Sequence, residues 1–215
     1  MASCQVITVA MSDGADAEEI GREAAKQLGF RYINDEVVYA AAEKANVGPE
    51  EVESVEHTKP LVDRIFAALG SLSLADGSQL PPDWAFDRPA GGRDESILYR
   101  NLIREVLWET GIAGKVVIGA HAASIQLAGM AGLLRVFVTG SPEKRTERYG
   151  STKLVTPEDA KKHIEHGDHE RQAYLRRFYD MHQELPTHYD LVVNTDVLPA
   201  AAAVQAIVGT ARAMA

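Results

Sequence analysis

The chain has 215 residues, 46% hydrophobic and 25% charged, the balance of a globular protein long enough for one α/β domain with a sizeable core. A formal net charge of −9 argues against a nucleic-acid polymer or an anionic membrane as partner, because no large basic field is available to neutralise phosphates. One cysteine, Cys4, excludes a disulfide framework and a cysteine-based metal site.

Short apolar runs alternate with longer helical patterns, the order expected of βαβ units around a parallel sheet. Residues 6–10 (VITVA) form a β-branched run and the first expected strand. Residues 18–28 place Ile20, Ala24 and Leu28 on one helical face, and Gly29 follows as a stop signal. A short strand fits Arg31–Ile33, and 35–45 continues as a helix. Residues 49–69 read as two helical pieces broken at Pro60. The stretch 70–93 is punctuated by Gly77, Pro81, Pro82, Pro89, Gly91 and Gly92, and is expected to be a flexible surface insertion.

Residues 94–110 predict an amphipathic helix with Ile97, Leu98, Leu102, Val106 and Leu107 along one stripe. Residues 115–119 (KVVIG) and 133–139 (LLRVFVT) are near-continuous apolar runs suited to central strands buried on both faces. Pro157–Tyr179 predicts a charged helix, Leu191–Asn194 a last short strand, and the Ala-rich tail from Pro199 a terminal helix. No basic segment followed by a long apolar one opens the chain, and no run approaches the roughly 18 apolar residues of a membrane span, so the expected compartment is the cytoplasm.

The chemistry is sought at the first strand-to-helix turn, Ala10-Met11-Ser12-Asp13-Gly14-Ala15-Asp16-Ala17-Glu18-Glu19-Ile20-Gly21. A strand, a tight glycine-containing loop and a helix start present outward-pointing N–H groups and the positive end of a helix dipole, which suits a phosphate. Taken alone, one glycine in such a turn is a weak signal.

Six segments together carry a more specific pattern: residues 7–21, 32–36 (YINDE), 116–122 (VVIGAHA), 136–145 (VFVTGSPEKR), 168–178 (DHERQAYLRRF) and 189–195 (YDLVVNT). In order and spacing they resemble the cytidylate kinase-like family, P-loop proteins related to bacterial CMP kinase, over almost the whole chain. The resemblance implies an α/β, three-layer P-loop NTPase fold of the nucleoside monophosphate kinase type, with a central parallel sheet and a helical lid. It implies one domain over 1–215, with the lid-like helical region at 142–182. The implied reaction is phosphoryl transfer from ATP, with Mg²⁺, to a nucleoside monophosphate such as CMP or another small phosphate acceptor. Homodimerisation is left open.

By the same resemblance Gly14, Ala15, Asp16, Ala17, Glu18 and Glu19 line the phosphate site. Arg145, Arg148 and Arg171 are the catalytic cations that close over the phosphates, and Asn34, Asp35, Gly119 and His121 lie on the acceptor side. Asn194 and Thr195, at the carboxyl edge of the last strand, are placed for an adenine-side contact.

The departures from the family pattern are concentrated in the turn. Met11 stands at the first glycine, Ala17 at the phosphate-gripping lysine and Glu19 at the metal-binding hydroxyl residue. A carboxylate about 5 Å from a phosphate charge, at an effective dielectric near 20, costs roughly 3 kcal/mol. Asp13, Asp16, Glu18 and Glu19 therefore work against metal-free ATP. Two readings follow: Asp16 and Glu19 cap their own helix as a capping box, or Glu19 helps to hold the Mg²⁺ that accompanies the nucleotide. Capping is the preferred one. The alternative function is a catalytically inactive pseudokinase that senses nucleotide or binds another protein, needing neither ATP turnover nor Mg²⁺. His163, His166 and His169 are spaced i, i+3 and i+6 on a polar helix, and no metal site is expected of them.

Overall fold

The computed structural model describes residues 3–34, 40, 95–119 and 122–214. The helices expected over 35–45 (Ala40 apart) and 49–69, the insertion at 70–93, and the acceptor-side residues Asp35 and His121 lie outside the described residues. The chain divides into two compact units, Met1–Asn34 with Leu107–Ala215, and Asp35–Val106.

Five strands form one sheet: β1 (Val6–Met11), β2 (Arg31–Ile33), β3 (Val116–Ile118), β4 (Leu133–Thr139) and β5 (Leu191–Asn194). Their order is β2-β3-β1-β4-β5, and every pairing is parallel. The α-helices among the described residues are α1 (Ala17–Leu28), α2 (Glu95–Ala113), α3 (Ala123–Gln126), α4 (Pro142–Lys153), α5 (Pro157–Tyr179) and α6 (Ala200–Ala213).

The topology fixes where a ligand can sit. After β1 the chain moves to one side of it for β2 and β3, then crosses to the other side for β4 and β5. The strand order thus reverses around β1, and the carboxyl end of β1 is the switch point at which open α/β sheets leave a crevice. All five carboxyl ends share that edge.

β1 is central, and both its faces are covered. Ile7 and Val9 join the cluster that contains Ile20 and Ala24 of α1 and Ile207 and Val208 of α6. Between them Thr8 is wholly buried and accepts a hydrogen bond from Ser124 Oγ at 2.9 Å, so its hydroxyl oxygen is not stranded. Ile20 is 0% exposed, and truncating such a side chain to Ala costs about 2–5 kcal/mol.

Several boundaries move by a few residues, for local reasons. β3 begins at Val116 because Lys115 has a left-handed φ of 49° and cannot continue a strand. α1 ends where Gly29 adopts φ 68° and its N–H closes on Ala25 and Lys26 carbonyls. In α2 the buried side chains are Ile103, Val106 and Leu107, a face one residue displaced from the expected stripe at Leu102. The side chains of Ile97 and Leu98 are outside the described residues. No helix among the described residues is long and apolar enough to cross a membrane.

Candidate functional site

The turn after β1 is built from its backbone outward. Ser12 N–H extends the β1–β4 ladder by donating to Val138 O at 3.1 Å, and Ala15 N–H closes the turn on Ser12 O at 3.1 Å. Two residues are left-handed, Gly14 at φ 74° and Asp16 at φ 58°. At Gly14 the requirement is also steric: a Cβ would lie 2.5 Å from the Arg145 carbonyl oxygen. Ala15 and Ala17 are buried in the core, whereas Asp13, Glu18 and Glu19 are exposed.

The expected capping box is absent. Asp16 occupies the N-cap position of α1 but makes no side-chain cap hydrogen bond. A capping side chain normally springs from an extended backbone, and the left-handed Asp16 turns its carboxylate elsewhere. Asp16 Oδ2 lies 3.4 Å from Arg148 Nη1.

Two helices following β4 reach over the turn. α4 starts where Ser141 accepts from Lys144 N–H and Pro142 takes the first position; α5 starts likewise at Thr156, which accepts from Asp159 N–H, with Pro157. They pack on each other through Ala160 and Ile164. From α4, Arg145 and Arg148 point back at the turn. Arg145 donates to Gly140 O at 3.0 Å and Asp13 O at 3.2 Å, and forms a two-pronged pair with Asp168. Arg148 donates to Gly14 O at 2.9 Å, Thr195 Oγ1 at 3.0 Å and Thr195 O at 2.9 Å. From α5, His163 Nε2 comes within 3.3 Å of Asp13 Oδ2, while its ring stacks on Tyr149 with centroids 4.1 Å apart. Gly167 makes room for the same carboxylate, because a Cβ there would meet Asp13 Oδ2 at 2.7 Å.

These elements enclose an open cleft of about 1020 Å³. The turn from Met11 to Glu19 (all but Ala15), Ile20, Arg22, Glu23 and Lys26 of α1, the lid residues Arg148, Tyr149, Thr152, Lys153 and His163, and Ala200, Ala201 and Val204 of α6 line it. Of the phosphate-site residues expected from sequence, Gly14, Asp16, Ala17, Glu18 and Glu19 border this cleft, and Ala15 is turned into the core. Asn34 and Gly119 follow paired residues of β2 and β3, since Ile33 and Ile118 are in register and Gly119 N–H donates to Ile33 O at 2.9 Å. They stand at the same sheet edge.

Arg171 is elsewhere. Its guanidinium is held two-pronged by Glu184, at 2.9 and 2.6 Å, and lies 5.9 Å from the centre of the Phe137 ring. Tyr189 stacks on Phe137 and donates a short hydrogen bond to Glu184. Burial pushes the Glu184 carboxyl up, but the Arg171 guanidinium and the tyrosine hydroxyl outweigh it, and the net direction is below the ordinary value. Burial first, then the neighbouring carboxylate, pushes Tyr189 well above its ordinary value. Arg171 lines a separate small cavity with Ala10, Met11, Ala122 and Ser124, so the three expected cations do not converge on one cleft.

Four features of the cleft and the lid helices over it escape a reading of the sequence. The Tyr149–His163 stack, the Asp13–His163 contact and the Asp168 clamp on Arg145 join residues far apart in the chain. Ala200 and Ala201 carry no chemical signal at all.

The cytidylate kinase-like family profile matches residues 6–197. Among solved structures, an uncharacterized protein from Eubacterium ventriosum ATCC 27560 superposes with a TM-score of 0.64 at 14% identity, covering 97% of this chain and 98% of that one. Shikimate kinase from Bacteroides thetaiotaomicron superposes with a TM-score of 0.50 at 15% identity, covering 96% and 97%. No curated protein matches the sequence. At these identities the structures speak for the fold, the α/β architecture of the P-loop kinases with a parallel five-stranded sheet. With the profile spanning all but the two ends of the chain, this protein belongs to the cytidylate kinase-like family.

Proposed function

We propose that the protein transfers the γ-phosphoryl group of ATP to a nucleoside monophosphate such as CMP, or to a closely related small acceptor. The observation that carries this reading is the cleft at the switch point of the sheet: a left-handed turn beneath two helices that bring Arg148, Tyr149 and Lys153 to its rim. Its volume of about 1020 Å³ is at the upper end for small-ligand sites, enough for a nucleotide.

In such a transfer an acceptor oxygen forms a bond to the γ-phosphorus as the bond to the β,γ-bridging oxygen breaks, and ADP leaves. The protein's contribution is positioning and charge stabilisation. Arg148 is pinned on the turn by neutral carbonyl and hydroxyl acceptors and faces the cleft. Lys153, further along α4, and Arg22 and Lys26 of α1 add cations at the rim. The stacked Tyr149 and His163 rings offer a flat surface beside them, and Asn34 and Gly119 mark the acceptor side at the ends of β2 and β3.

The donor set suits a hard cation that arrives with phosphate. Among the described residues no group of three metal-ligating side chains exists, so those residues offer no all-protein cage. Mg²⁺ typically takes one or two carboxylates together with substrate phosphates, and Glu19 would supply one. When bound, the ion would neutralise charge on the transferring group.

A coupled assay with ATP, Mg²⁺ and each nucleoside monophosphate tests the reading. ADP release that depends on one monophosphate is the expected result. ATP turnover indifferent to every acceptor, or none at all with folded protein, rejects it.

A further inference from the structure

We propose that Asp16, with Asp13, is a built-in competitor of the incoming phosphate: the turn's own carboxylates occupy the lid groups that an anion in the cleft must recruit. The inference rests on reading the cleft as an anion site and concerns how that site is regulated.

Arg148 makes two kinds of contact. Three hydrogen bonds, to Gly14 O, Thr195 Oγ1 and Thr195 O, go to neutral acceptors and hold the guanidinium in place. The fourth contact, Asp16 Oδ2 at 3.4 Å, is the one that offsets its charge. Asp16 does nothing for its helix by capping, since its side chain accepts no N–H there. Three residues earlier in the same loop, Asp13 reaches the second lid helix, with Oδ2 3.3 Å from His163 Nε2 and packed over Gly167. Both lid helices are therefore latched to the turn by carboxylates that border the cleft. An anion entering it meets a neutralised arginine and the carboxylates of the turn.

Removing the Asp16 charge alone has a distinctive consequence. The neutral acceptors keep Arg148 where it is, and its charge is then turned to the cleft. Asparagine and glycine both tolerate the left-handed backbone at this position, so Asp16→Asn and Asp16→Gly keep the turn. Glu158→Gln is the control for bulk charge: it removes one carboxylate from the start of α5, where Glu158 pairs with Lys162 at 2.9 Å and neither residue lines the cleft.

The test is titration calorimetry of the full chain with inorganic tripolyphosphate and, separately, with Mg²⁺-ATP. Asp16→Asn and Asp16→Gly are expected to bind tripolyphosphate about three- to tenfold more tightly than the parent, and Glu158→Gln less than about twofold. A gain with tripolyphosphate but not with ATP supports the internal competitor while counting against the nucleotide reading. Equal gains in Glu158→Gln and Asp16→Asn, no gain in either Asp16 variant, or no binding of either probe by any of the proteins overturns it.

Discussion

Arg145 and Asp168 meet edge to edge, Nη1 donating to Oδ1 at 2.9 Å and Nη2 to Oδ2 at 2.6 Å. The two partners are unequally solvated: the arginine side chain is 5% exposed and the aspartate 41%. The remaining donors of Arg145 serve Gly140 O at the end of β4 and Asp13 O in the turn. One side chain thus ties the sheet, the turn and α5 together. Arg145→Ala leaves two carbonyls without that donor, while Asp168 can rehydrate. The expected loss of unfolding free energy is about 2–4 kcal/mol. Arg145→Lys keeps the charge but not the fork, and should recover less than half of it. Urea unfolding measures both, and an Arg145→Ala value within about 0.5 kcal/mol of the parent would refute the structural role.

Gly14 and Gly29 separate two reasons for glycine. Both have positive φ, 74° and 68°, but a Cβ at Gly14 would run into the Arg145 carbonyl, whereas one at Gly29 meets nothing within 4 Å. Gly29→Ala should cost about 1 kcal/mol, the left-handed penalty alone. Gly14→Ala should cost at least about 2 kcal/mol more, because backbone on both sides would have to move. Thermal unfolding of the two variants checks the difference, and equal costs would show that the turn yields freely.

The elements that were legible in the sequence are those whose signals are local. The apolar run of β4 marks a strand over Leu133–Thr139, and the Thr156-Pro157 start marks α5 to its end at Tyr179. The equivalent Ser141-Pro142 signal for α4 is as local. What stayed hidden depends on tertiary contact. The capping box suits the spacing of Asp16 and Glu19, but the left-handed backbone of Asp16 is imposed by the turn. Arg171 has a lid arginine's position in the chain, and only the fold brings Glu184 and Tyr189 against it.

Thr195 joins the end of β5 to the site. It is 6% exposed, accepts from Arg148 Nη1 at 3.0 Å and donates to Thr139 O at 3.1 Å. Thr195→Val preserves the shape but removes both bonds, and should destabilise by about 1–3 kcal/mol. Thr195→Ser loses only a methyl group and should cost about 1 kcal/mol or less. Calorimetric melting of the pair tests the order. If serine is the worse replacement, packing rather than the hydroxyl matters here.

Acid stability should carry the signature of Glu184. Its carboxyl lies below its ordinary value in the folded state despite burial, because Arg171 and Tyr189 hold the charged form. Working through the sign, the unfolded glutamate takes up its proton near pH 4.3, before the folded one does. The stabilisation is therefore complete above that pH and is lost as pH falls through the lower, folded value. Tyr189 sets the opposite limit: its hydroxyl is held protonated, so stability from this cluster declines once pH rises past about 10, where an unfolded tyrosine ionises. Glu184→Gln removes the acid-sensitive group and leaves Arg171 without its counter-ion at every pH. At pH 7 the variant should therefore melt well below the parent, and the gap should narrow steadily on acidification below about pH 4. Melting temperatures of the two proteins from pH 3 to pH 7 decide the matter, and parallel profiles would show that the pair contributes nothing to acid stability.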